Sequence, residues 1–147
     1  TQTHVAALDL MEAQTHAELA RQLDAVSQGR FGLAGAAVAI EKPGAVPFGW
    51  KALEPGRVDA LLGEDGLHWL GPNFTGLSLF GPAEGEVASV ALVRMNLRLP
   101  GAAAPRAALC AFGSGEEDGF TPAMGCELVA FVARVVERMA ERWPLDA

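Results

Sequence analysis

The chain has 147 residues, half of them apolar and a fifth charged, with a formal net charge of −7. That length suits one domain burying roughly two-thirds of its unfolded surface, and the composition excludes a disordered tail. The acid excess excludes a broad basic footprint for nucleic acid and disfavours binding to an anionic membrane surface.

Residues 4 to 28 are rich in Ala, Leu, Glu and Gln and read as one helix stopped by Gly29. Leu8, Met11, Thr15, Leu19, Leu23 and Val26 recur three or four apart and make a narrow stripe. A stripe of that width fits a dimer seam or a helix laid on a sheet, and the pattern does not separate the two. Thr1 opens directly into this helical pattern, so an upstream segment is expected.

Residues 33 to 41, LAGAAVAIE, are short, apolar and punctuated by Pro43-Gly44, which predicts a central strand. The prolines of PGAVPFGWKALEPG predict irregular backbone over 43 to 56. GRVDALLGED predicts a short helix with Val58, Leu61 and Leu62 facing inward, and GLHWL a short strand. PNFTGLSLFGPAEGE reads as a loop with a short helix or turn around Gly76 to Phe80. Residues 87 to 97 and 106 to 112 are two strands joined by a hairpin loop. Pro122 to Trp143 is a long helix with Met124, Leu128, Phe131, Val132, Val135, Val136 and Met139 on one face.

The longest uncharged apolar stretch, Gly32 to Ile40, is far too short to span a bilayer. No charged segment followed by an apolar one opens the chain, so the expected location is cytoplasmic. Cys110 and Cys126 lie among apolar neighbours without metal-like spacing, as buried thiols of a reducing compartment do. A reactive thiol or a disulfide is the alternative.

FGSGEEDGFTPAMG, between the last strand and the last helix, comes close to a dinucleotide-binding loop through Gly113, Gly115 and Gly119. Such a loop needs free N–H groups at a helix start, whereas Pro122 has none and Thr121 reads as an ordinary N-cap. Glu116, Glu117 and Asp118 would repel a polyanion, and no strand follows to complete a parallel unit. A calcium loop is excluded by the absence of alternating ligands and a closing Glu. The stretch is a connection.

The tail ALCAFGSGEEDGFTPAMGCELVAFVARVVERM, with Gly113, Ser114, Phe120, Pro122, Met124 and Gly125 as its marks, resembles the C-terminal signature of a GAF-like bacterial family of unknown function, domain-of-unknown-function 484. The upstream order of elements is similar as well, while residues 43–56 and 71–82 match weakly. The resemblance implies an α+β fold, with residues 1–147 as a single domain. An antiparallel sheet would carry long N- and C-terminal helices on one face and short helices and loops on the other. It carries over no catalytic residues.

His4 and His16 are twelve residues apart on the first predicted helix, so they do not pair and read as surface or dimer-face residues. His68 beside Trp69 reads as a strand-edge residue or a pocket wall. No Gly-x-Ser-x-Gly elbow occurs, since GLSLF lacks the second glycine. Cys126, in the first turns of the last predicted helix, is the thiol to test for redox chemistry. Strand 87–97 alternates: Ala88, Val90, Leu92, Arg94 and Asn96 share one face, and Ser89, Ala91, Val93, Met95 and Leu97 the other. Arg106 lies on the paired strand.

These patterns lead to a non-enzymatic regulatory or sensor domain that binds a small molecule or protein partner on the sheet face away from the terminal helices. The expected pocket residues are Phe48, Trp50, Trp69, Phe74, Phe80, Arg94 and Asn96, unless the aromatics only fill the core. The expected partner is a second copy, meeting through Leu8, Met11, Leu19, Leu23, Val132, Val136 and Met139. No metal, cofactor, nucleic acid or membrane is expected. A thiol-dependent reductase of small molecules and a ligand-free interaction scaffold are the alternatives.

Overall fold

The computed structural model describes residues 1–74 and 76–145. Thr75, Asp146 and Ala147, which fall within the expected 1–147 domain and (for Thr75) the covering segment 71–82, lie outside the described residues. The fold is mixed α+β: α1 (Gln2–Leu10), α2 (His16–Phe31), β1 (Gly35–Glu41), β2 (Trp50–Leu53), α3 (Arg57–Leu62), β3 (His68–Pro72), a 3-10 turn (Gly81–Glu86), β4 (Ser89–Leu97), β5 (Arg106–Ser114) and α4 (Glu127–Ala140). The strands form one five-stranded sheet in the order β2-β1-β5-β4-β3.

The first helical pattern is two helices, not one. Thr15 caps α2 by accepting from Glu18 N at 3.0 Å, and Glu18 reaches back to accept from Gln14 N at 2.7 Å. That reciprocal arrangement is a capping box set one residue wide, and it starts a new helix inside an otherwise helical composition. Helix α2 runs past Gly29 and stops at Gly32, which takes the left-handed conformation at φ +65°. The expected stripe is thereby cut. Leu19, Leu23 and Val26 are buried, whereas Leu8 and Met11 stay on the surface of α1 at 61% and 55% exposure.

Strand β1 pairs with β5, β5 with β4 and β4 with β3, all antiparallel. Strand β2 departs from the antiparallel expectation: Val38 to Glu41 pair in parallel with Trp50 to Leu53. Residues 42–49 carry the chain back along β1 to make this possible. The prolines of 43–56 flank these four residues without interrupting them, so a strand lies where irregular backbone was expected.

The sheet alternates as the sequence predicts. Ala91, Val93, Met95, Leu97, Cys110 and Phe112 face α1, α2 and α4 and join Leu10, Leu19, Leu23, Val132 and Val136 in one core. Val90, Leu92, Leu109 and Ala111 face the other way, into a second core closed by Val58, Leu77, Leu79, Phe80 and Val87. Burial of this extent, at about 25 cal/mol per Å² of apolar surface, is what holds the two layers on the sheet.

Helix α4 begins at Glu127, five residues after the expected start, and Cys126 occupies the cap position without a side-chain bond. Pro122 lies instead in a turn closed by Met124 N donating to Thr121 O. The preceding loop is tied to the sheet: Ser89 Oγ donates to Glu116 O at 2.7 Å and accepts from Phe120 N at 3.0 Å. No helix of the described residues is long and apolar enough to cross a membrane.

Candidate binding groove

Small residues let β2 approach α2. A Cβ added at Gly49, which sits at φ +88°, would come within 3.2 Å of Ala20 Cβ, so only glycine fits that crossing. Gly49 turns the chain into β2 and leaves Phe48 outside at 89% exposure. Between α2, the start of β1, the lead into β2 and the loop Leu79–Pro82 lies an open groove of about 540 Å³. Its apolar floor comprises Ala17 and Ala20 of α2 with Ala36 and Ala37 of β1. Phe48, Trp50 and Phe80 supply aromatic surface, and Arg21, Asp24 and Lys51 supply charge.

Asp24 is already engaged. Its Oδ1 accepts from Ala36 N at 3.0 Å, and its Oδ2 accepts from Gln28 Nε2 at 2.8 Å. It completes the edge of β1 just before β2 begins to pair. Trp50 is buried at 5% exposure on the helix side of the sheet, and its Nε1 donates to His16 O at 2.8 Å. His16, expected at the surface, is buried: its Nε2 donates to Ala140 O at 2.9 Å, and its ring stands edge-on between Trp50 and Trp143. His4 and His68 are exposed.

Three of the seven expected pocket residues, Phe48, Trp50 and Phe80, meet in this groove. The other four lie elsewhere. Trp69 and Phe74 stack edge-to-face on each other at 5.6 Å between centroids. Arg94 faces α3, where its Nε donates to Gly66 O, its Nη2 to Gly63 O and its Nη1 to Asp59 at 2.7 Å. This guanidinium fastens the α3 turn to β4 and has little left to offer a ligand. Asn96 is exposed at the end of β4, with only its backbone N–H engaged, by Glu137. The sheet face behind the 3-10 turn, where a pocket was expected, is occupied by Leu77, Leu79, Phe80 and Val87.

The expected dimer residues separate in the same way. Leu19, Leu23, Val132 and Val136 are sunk in this chain's own core and present no surface to a second copy, and Met139 is buried as well, reaching only the wall of a surface groove. Leu8 and Met11 remain outside, as do Val5, Leu128 and Phe131. Met11 at the C-cap of α1 and Val135 and Met139 of α4 line a common shallow apolar groove flanked by Arg134 and Arg138.

Cys110 is fully buried in the middle of β5, and desolvation raises its thiol pKa far above the ordinary range, with Arg134 opposing only in part. Cys126 is half-buried, and both cysteines are free. No group of three or more metal-ligating side chains occurs among the described residues.

Arg21 and Lys51 were not singled out by the sequence pattern. The available signal was the pair Phe48-Gly49, a large aromatic beside a turn glycine in a proline-broken segment. A five-stranded sheet backed by terminal helices, with an open groove at one edge, defines a mixed α+β fold. The family described as "Protein of unknown function, DUF484" matches residues 1–145, and the chain belongs to that family. Among curated proteins there is no matching relative.

Proposed function

We propose that this chain is a non-enzymatic, GAF-like regulatory module that binds a small molecule in the groove between α2 and β2 and works as a homodimer. The observation that carries the reading is Phe48, an aromatic ring left almost wholly in water at the mouth of a 540 Å³ groove. Exposed aromatic area of that kind is stabilised when a ligand or partner covers it. The volume lies within the range of small-molecule sites.

Pairing uses the apolar residues that the core leaves outside: Leu8 and Met11 of α1 with Leu128 and Phe131 of α4. Helix α2 forms one wall of the groove and also packs on α1 and α4. A ligand that favours one position of α2 would therefore shift the balance between arrangements of the pairing helices. Against a two-cysteine reductase stands the deep burial of Cys110, which leaves Cys126 as the accessible thiol.

Sedimentation velocity on the wild-type chain and on Leu8→Glu/Phe131→Glu tests the pairing. A dimer that the double variant converts to monomer is expected, and a wild-type monomer at high concentration contradicts it. Thermal-shift screening of wild type and Phe48→Ala tests the groove. Compounds that raise the wild-type melting temperature are expected to lose their effect on the variant.

A further inference from the structure

The groove holds charge that nothing else uses. Of the eleven lysines and arginines in the chain, eight direct side-chain donors to a carboxylate, a carbonyl or, for Arg142, the Met139 sulfur. Among the described residues the remaining three, Arg21, Lys51 and Arg98, have no such partner. Two of these three, Arg21 from α2 and Lys51 from β2, line the same groove. The one carboxylate there, Asp24, accepts from Ala36 N and Gln28 Nε2, neutral donors that leave its charge in place but keep it out of an ion pair with either cation. In a chain of net charge −7, where acids to neutralise a cation are plentiful, two cations outside any ion pair against one carboxylate leave this groove, with its three aromatic rings, locally positive.

We infer that the ligand of this groove is a small organic anion with a flat apolar body. Its acidic group is held by Arg21 and Lys51, and its body lies over the alanine floor against Phe48 and Phe80. A planar guanidinium suits a carboxylate, sulfonate or phosphate oxygen pair, and the flexible lysine adds a second charge from β2, at the sheet edge that the groove spans. The apolar body supplies the burial and the two cations supply the orientation, which is the usual division of labour in small-molecule sites. Binding would also join α2 to β2 through one molecule, giving the ligand a direct hold on the helix that contacts α4. This inference rests on the groove reading above and adds the charge of the ligand to it.

A matched pair of fluorescent probes separates the two claims: 8-anilinonaphthalene-1-sulfonate, and N-phenyl-1-naphthylamine, which has the same rings without the sulfonate. Titrations of the full chain at low salt are expected to give the sulfonate about tenfold tighter binding than the neutral amine. Arg21→Gln/Lys51→Gln should cancel that advantage and leave the amine unchanged, Arg21→Lys/Lys51→Arg should retain most of it, and Phe48→Ala should weaken both probes. Both cations are exposed and unpartnered, so an unchanged urea midpoint for the double variant verifies its fold. Equal affinity for the two probes, with both still weakened by Phe48→Ala, overturns the anion inference and leaves the groove reading intact. Probe binding that ignores Phe48→Ala but is lost in Met11→Ser/Val135→Ser overturns both, because the probes then sit on the α1–α4 surface.

Discussion

Trp50 and His16 join the groove to the far end of the helix layer. The Trp50 indole donates to the His16 carbonyl at 2.8 Å, and the His16 ring donates to the carbonyl of Ala140 in the last turn of α4 at 2.9 Å. The two bonds run in series through buried residues, where screening by water is weak. A displacement of β2 by a bound ligand therefore has a short physical route to α4.

Trp50→Phe keeps most of the apolar area and removes the donor. The expected loss is about 1 kcal/mol in urea unfolding, from one neutral hydrogen bond and a small volume change. Hydrogen exchange at the amides of the last turn of α4 should accelerate more than exchange in α1. Equal acceleration in both helices would argue that Trp50 acts only through general stability.

Glu137 of α4 accepts from Asn96 N at 2.8 Å, and Glu141, one turn on, accepts from Arg98 N at 2.9 Å. A helix advances about 6 Å in four residues and a strand about 6.8 Å in two, so the two carboxylates match successive outward amides at the end of β4 and one residue past it. They cover the edge left open beyond Arg94, whose own N–H donates to Leu67 O. Glu137→Ala should cost about 2 kcal/mol, because it strands the Asn96 amide and removes one of the two acceptors of Arg134. Glu141→Ala, on a more exposed side chain, should cost less than half as much in the same urea titration.

Gly119 packs its α-carbon against Ser114, and a Cβ there would overlap both side-chain atoms of that serine. Gly119→Ala is expected to destabilise by about 2 kcal/mol or more. Ser114→Gly in the same chain should recover part of the loss, less than all of it because Ser114 Oγ accepts from Glu116 N at 3.2 Å. Additive losses in the double variant would show that the overlap is relieved by moving the loop instead.

Burial holds the Cys110 thiol protonated, its pKa raised above the ordinary 9.0. The folded state then binds a proton that the unfolded state releases, so this contribution is intact below pH 9 and declines as pH rises above it. Stability of Cys110→Ala should accordingly fall less steeply above pH 9 than that of wild type. In native protein at pH 8 a thiol reagent should label Cys126 and leave Cys110 unmodified until denaturant is added. Rapid labelling of Cys110 would revive the two-cysteine chemistry.

The long alternating strands were legible because period-2 patterning sorts residues directly onto two faces: Val90 and Leu92 went one way, Val93 and Met95 the other. The helix α4 was legible from its apolar face, although its start was misplaced, because Pro122 is equally at home in the Thr121–Met124 turn. The break at Met11–Thr15 was hidden by good helix formers on both sides, and only Thr15-x-x-Glu18 marked it. Strand β2 was illegible for a different reason. Its four residues are too few to show a period, and its pairing with β1 is fixed by the return of residues 42–49, a tertiary event. The groove suffered most from this, since it exists only once β2 is laid beside α2. An aromatic list drawn from the covering segments therefore mixed Phe48, Trp50 and Phe80 with Trp69 and Phe74, which lie apart from the groove.

The most direct test of the proposed ligand site is a ¹H–¹⁵N NMR titration of the full chain with 8-anilinonaphthalene-1-sulfonate. If the ligand site is the crevice at the sheet edge, the largest shifts fall on Ala20, Arg21, Ala36, Gly49, Lys51 and Gly81, with the Trp50 indole proton moving alongside them. Shifts concentrated at Trp69, Phe74 and Val90, or at Met11 and Val135, with those signals unmoved, would contradict it.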